Sequence, residues 1–231
     1  MTMVATTIYL HRGKSHRALE YHPALEHFFR FWLWLTDGVD VQQWVAQHRL
    51  HHAKSDQAGD PHSPVIFGIK RIAIDGFFTT CINRYGSKPF VSDIDLAVYG
   101  KGCPDDWMER NIYKPHLRQG LVLMLIINVL LFGRLGLLIW LVQLAWTPMI
   151  SNSIITGLAH WGLGYKHPNS VDNSHNLPGL GFLVIGDQLH SNHHANPGAA
   201  KLSQRWFEFD LGWIYIRGFA ALGLLKINKI Q

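Results

Sequence analysis

Cysteine is almost missing from this chain. There are 2 in 231 residues, Cys81 and Cys103, far apart and in no CxxC spacing. That argues against a thiolate zinc site and against a disulfide framework. Charge is scarce as well, with 16% Asp, Glu, Lys and Arg, low for a soluble domain. In its place the chain carries 48% hydrophobic and 12% aromatic residues, too apolar for disorder. The formal net charge of +5 is scattered between apolar blocks and not gathered into a stripe. This speaks against nucleic acid and fits a cytosolic face against anionic headgroups. No cleavable signal pattern opens the chain, because Val4–Leu10 is too short for the apolar core of one. No internal repeat or low-complexity tract is found.

Long apolar sequence is present in one region. Residues 120–160 hold a single charge, Arg134. The spacing predicts two helices, Gln119–Gly133 and Leu135–Trp161, broken at "GRLG". The first is short for a span, which needs ~20 residues, and would rely on Arg118 and Arg134 snorkelling. The second is long enough, with a kink expected at Pro148. Residues 25–52 read as a Trp-rich helical stretch lying at the membrane interface. Residues 64–86 read the same way, and 87–113 as a solvent-facing loop.

Histidine is over-supplied, with 15 in the chain. His11 and His16 lie in "HRGKSH", His48, His51 and His52 in "HRLHH", and His190, His193 and His194 in "HSNHH". His160 ends the second apolar helix. On a helix, positions i, i+3 and i+4 share a face, so each HxxHH box is expected to aim three imidazoles at one point. Neutral imidazole is the commonest metal ligand, and a nitrogen-rich set without thiolate suits iron, zinc or copper. Nine ligands exceed what one ion takes and fit two, with positions left open. His22, His27, His116, His167 and His175 fall outside the pattern and read as solvated or simple hydrogen-bonding residues.

The order "HRGKSH … HRLHH … HSNHH" resembles the three histidine boxes of membrane fatty acyl desaturases, especially the stearoyl-CoA (acyl-CoA delta-9) type. Trp44 four residues before His48, the "GDPHSP" loop at 59–64 and "HWGLGY" around His160 add to the likeness, which spans nearly the whole chain. The resemblance implies that those nine histidines hold two iron ions, with O₂ as co-substrate. It implies a long-chain acyl-CoA or acyl lipid as substrate. It also implies a separate electron donor of ferredoxin, rubredoxin or cytochrome b5 type. Two departures stand out. Thr156 occupies the place of an asparagine that meets one iron through water, and only ten residues precede His11, where the family has a pair of helices.

The expectation is therefore an all-α integral membrane protein, one desaturase domain over 1–231, lacking its N-terminal helices. A hairpin of two spans and interfacial helices would carry a cytosolic histidine-rich cap. Thr156, Asn192 and Asp187 are expected behind the ligands. Trp44, His62, Lys70, Arg71, Arg84 and Lys88 are weaker candidates for contacts with substrate. A hydroxylase of the same metal architecture and a non-catalytic metal-binding membrane protein are the alternatives. Metal content and oxygen consumption separate the latter from an enzyme.

Overall fold

A computed structural model describes residues 1–72 and 91–231. Helices dominate it. The chain opens with α1 (Thr2–Ala5), which runs directly into a π-helix, Thr6–Ser15. Then come α2 (Pro23–Thr36), α3 (Val41–Lys54), α4 (Pro64–Phe67) and α5 (Asp93–Tyr99). A π-helical turn, Glu109–Tyr113, leads into α6 (Leu117–Phe132) and α7 (Arg134–Pro148). A second long π-helix, Met149–Gly157, and a 3₁₀ turn, Leu158–His160, follow. The chain ends with α8 (His190–Ala195) and α9 (Leu211–Ala221). One departure from an all-α chain is a two-stranded ribbon. β1 (Leu19–Tyr21) pairs antiparallel with β2 (Leu225–Ile227), Glu20 opposite Lys226.

The helical stretch expected over 25–52 is two helices. Gly38, at φ +58°, turns the chain between them. Asp40 then caps α3 by accepting from the Gln43 N–H at 3.0 Å. In α2 the Phe/Trp/Leu pattern does not serve a surface alone. Leu25, Phe29 and Leu33 are buried in the main core with Ile8, Tyr9 and Leu10 of the first π-helix, while Phe28 and Phe31 face outward. Of the stretch 64–86, residues 73–86 lie outside the described residues.

The apolar hairpin forms as the composition demands, with Gly133 at φ +58° between its helices. Its limits are shorter than the sequence suggests. α7 stops at Pro148, whose missing N–H and ring disfavour a continuing α-ladder, and the backbone passes into the π-helix there. Among the described residues, no helix is long and apolar enough to cross a membrane. The 16 residues of α6 rise ~24 Å. The two helices touch closely at Gly136, where a Cβ would meet the Asn128 carbonyl oxygen at 2.1 Å. Asn128 Nδ2 donates to Gln143 Oε1 at 2.9 Å, and Trp140 Nε1 to the Leu121 carbonyl at 2.8 Å. The outer face is apolar and open: Val122, Ile126, Leu130, Leu131, Leu138 and Val142 are all exposed.

Two arginines of the histidine boxes tie the segments of the cap to one another. Arg12 is fully buried and meets Asp210 with a two-point fork, Nη1 to Oδ2 at 3.0 Å and Nη2 to Oδ1 at 2.9 Å. Asp210 also caps α9, accepting from the Trp213 N–H at 3.0 Å. Arg49 donates to four carbonyl oxygens, those of Lys14, Ser15, Tyr99 and Lys101. It therefore ties α3 to the end of the first box and to the loop after α5.

Candidate metal centre

Four segments bring their imidazoles together. His11 lies within the first π-helix and His16 at its C-cap. A π-helix bonds residue i to i+5, so residues five apart come round together. α3 supplies His48, His51 and His52; the 3₁₀ turn supplies His160; α8 supplies His190, His193 and His194.

The nine histidines fall into two groups. Ring nitrogens of His11, His16, His48, His52 and His193 lie within 4.8 Å of one another, and so do those of His51, His160, His190 and His194. This corrects the expectation that each HxxHH box aims at one point. In each box the i,i+4 pair shares a group and the i+3 ring goes to the other: His48 and His52 against His51, His190 and His194 against His193. Adjacent helix positions differ by about 100° around the axis, so His51 and His52 cannot converge. Each HxxHH box thus serves both groups, while the first box, His11 and His16, serves the five-histidine group alone.

The chemistry of the nitrogens tests whether a cation fits. His51 Nδ1 faces both oxygens of Asp60, at 3.0 and 2.9 Å. His160 Nδ1 lies 3.1 Å from Asp56 Oδ2, and His194 Nδ1 meets Asp172 Oδ2. A carboxylate behind Nδ1 assigns the proton there and leaves Nε2 as a bare acceptor. Yet among the described residues His51 Nε2 and His194 Nε2 are buried with no hydrogen-bond donor. His160 Nε2 faces His190 Nε2 at 2.9 Å. In the five-histidine group the same contacts recur: His11 with His193 at 2.9 Å, His16 with His48 at 2.8 Å, His52 with His193 at 2.9 Å, all between Nε2 atoms. A buried acceptor without a donor, as at His51 and His194, is costly unless a cation lies beside it. The residues present fit metal ions, and burial favours the neutral ligand form. It pushes His48, His51, His52, His190 and His193 well below the ordinary imidazole value, with neighbouring imidazoles adding to the effect.

The supporting residues are partly those expected. Asp187 sits behind His11, with Oδ1 3.2 Å from Nδ1, and accepts from Thr7 Oγ1 at 2.9 Å. Asn192 touches no ligand ring in the hydrogen-bond network. It donates to the Leu202 carbonyl and to Glu208, and exchanges bonds with Asn176, so it fixes the backbone of α8. Asp56, Asp60 and Asp172 are additions. Asp60 lies in the "GDPHSP" loop, a visible signal. Asp56 follows the second box by four residues, and Asp172 comes from the loop before α8, with no local pattern to mark it. Burial alone would raise Asp56, but bonds from His160, Ser63 and the Asn173 N–H hold it down at about 2.

A cavity of about 70 Å³ opens between the groups, lined by Trp44, Gln47, His51, His62, Thr156 and His190 among others. Trp44 stacks on His48, ring centroids 5.1 Å apart. The His62 ring lies 4.4 Å from that of His51, and burial brings its value down to about 3. Lys70 and Arg71 are exposed and do not line this cavity; Arg71 lies 4.7 Å over the Phe67 ring. Arg84 and Lys88 fall outside the described residues. Of the other histidines, His22 accepts from the Ala24 N–H, His27 meets the Tyr113 hydroxyl, His167 meets Gln204, and His175 meets the Asn173 carbonyl.

Comparison with known proteins agrees with this geometry. The chain is 29% identical to a delta-9 acyl-lipid desaturase of Arabidopsis thaliana, over 97% of its own length and 70% of the relative's. It is 27% identical to an sn-1 stearoyl-lipid 9-desaturase of Synechocystis, over 98% and 68%. It is 26% identical to a probable chloroplastic lipid desaturase of Arabidopsis thaliana, over 98% of this chain and 60% of that one. The chain thus spans from three fifths to seven tenths of the length of these curated relatives. The fatty acid desaturase family model matches residues 1–220, and the chain belongs to that family.

Proposed function

We propose that this protein carries out oxygen-dependent desaturation of a long acyl chain at two iron ions, one in each histidine group. The observation that carries the reading is the convergence of nine imidazoles in two groups, with the carboxylate-backed His51 and His194 turning donorless Nε2 atoms inward, in a family of fatty acid desaturases. When bound, the iron supplies the activation of O₂ and the removal of two hydrogens from adjacent methylenes.

This chain's residues do the rest. The carboxylates of Asp56, Asp60, Asp172 and Asp187 hold protons at Nδ1 of His160, His51, His194 and His11, and so turn Nε2 inward. Trp44 and Ile155 give the cavity an apolar wall, and exclude water from the reacting chain. Position along the chain is then set by its depth in the cavity. Thr156 lines the same cavity, and on this reading its hydroxyl holds a water next to a bound ion. Thr156→Val should lower turnover, and Thr156→Asn should retain or raise it. Equal turnover in Thr156→Val and the parent would remove the hydroxyl from the account.

The relatives named above are acyl-lipid enzymes by name, and this favours a lipid-borne chain over the CoA thioester that the histidine boxes suggest. The open apolar face of α6 and α7 supports an integral membrane location, with the hairpin inserted and the histidine cap on the cytosolic side. Electrons come from a separate carrier, of ferredoxin, rubredoxin or cytochrome b5 type. The test is fatty-acid profiling of a host membrane with the gene, without it, and with His193→Ala. A new monounsaturated chain that vanishes in the variant is expected. A hydroxylated chain instead would move the reading to a hydroxylase, and an unchanged profile would overturn it.

A further inference from the structure

The two histidine groups differ sharply in the fixed charge behind them. The four-histidine group has three carboxylates at its back, Asp60 on His51, Asp56 on His160 and Asp172 on His194. Their remaining partners are neutral. Asp60 accepts from the Asp56 and His62 N–H groups, Asp56 from Ser63 and the Asn173 N–H, and Asp172 from Ser170 and Ser174. No lysine or arginine among the described residues pairs with any of the three in the ion pairs of the cap.

The five-histidine group has one carboxylate, Asp187, and that one is shared. Arg12 Nη2 lies 3.6 Å from Asp187 Oδ1, fully buried. A second cation, Arg49, is anchored on the Lys14 and Ser15 carbonyls, directly before His16 in the chain. The fixed charge is therefore three negative behind one group, while behind the other Asp187 and Asp210 are balanced by Arg12 and Arg49. Inside a buried site such charges are weakly screened, so they weigh heavily on a divalent ion. Orientation differs in the same direction. Three of four rings in the smaller group have Nδ1 fixed by a carboxylate, against one of five in the larger; among the described residues His190 Nδ1 in the smaller group and His193 Nδ1 in the larger have no hydrogen-bond partner.

We propose that the four-histidine group is the tighter metal site and fills first, with Asp56, Asp60 and Asp172 as the positioning residues that make it so. The inference rests on the two-ion reading above. A chain with limited metal then holds one ion, in the four-histidine group, and the five-histidine group is the exchangeable one despite its extra ligand.

The experiment is titration of the metal-stripped full chain in detergent with Co²⁺ alone, followed by visible absorption and chelator competition. Two binding steps at least about tenfold apart are expected. His194→Ala should remove the tighter step and His16→Ala the weaker. Asp172→Asn keeps shape and an acceptor oxygen but loses the charge. It should weaken the tighter step about 10–100-fold and leave the weaker one in place. Loss of the tighter step in His16→Ala, or equal weakening of both steps in Asp172→Asn, would overturn the assignment while sparing the two-ion reading. Two steps of equal affinity would do the same. Binding of fewer than two ions would overturn both.

Discussion

In the histidine cap the polar side chains are inside; in the α6–α7 hairpin the apolar ones are outside. His51, His160 and His193 are about 1% exposed, whereas Leu130 is 80% exposed and Leu131 69%. Ordinary folding puts each of these the other way round. The cap can bury imidazoles because each has a partner or the lone pair for an ion, and because Arg12 and Arg49 lock the segments that carry them. An exposed apolar face of this kind suits apolar surroundings. On the membrane reading proposed above, one chain is built for two media, and what stabilises one region would ruin the other.

The largest effect expected is in the cap. His193→Ala removes a ring that contacts both His11 and His52 at 2.9 Å, and should cut desaturation about 100-fold or more, measured as product per chain. Next comes the ion pair that anchors the cap. Asp210→Ala strands a fully buried Arg12 and should cost about 3–5 kcal/mol of stability, read from denaturant unfolding in detergent. In the hairpin, Ile126→Arg sharpens the comparison itself. Ile126 is 50% exposed near the middle of α6. If that face meets hydrocarbon, the change should cost about 3 kcal/mol in a bilayer. A cost within about 0.5 kcal/mol would mean that the face meets water, and the two-medium account would fail. The smallest effect is Asn128→Leu, which breaks the bond to Gln143 and should cost about 0.6 kcal/mol in the same assay.

How much of this was legible follows from range. Six of the nine histidines were readable because HxxHH is a helical spacing that occurs twice; His11, His16 and His160 came from their places in the likeness to the family. Their division between two groups was not, since it depends on how α3 and α8 face each other across the cavity. The π-helices before His16 and His160 left no local sign, because no residue pattern separates i+5 from i+4 winding. Asp60 was visible within its loop and given no role, while Asp172 reaches His194 from a loop more than twenty residues away in sequence. Gly133 marked the hairpin turn, but the end of α7 came thirteen residues before the predicted Trp161, at the proline read as a kink. In the stretch 25–52 the break was marked by Asp37-Gly38, a turn dipeptide that the reading of one stretch did not use.

The central claim is that the buried imidazoles of the cap exist to hold iron. Metal analysis of the purified full chain, grown with iron and zinc both supplied and never exposed to chelator, tests it most directly. The account predicts about two iron ions per chain, falling on His51→Ala or His193→Ala substitution. Active protein that carries zinc and no iron, or no metal at all, would contradict it.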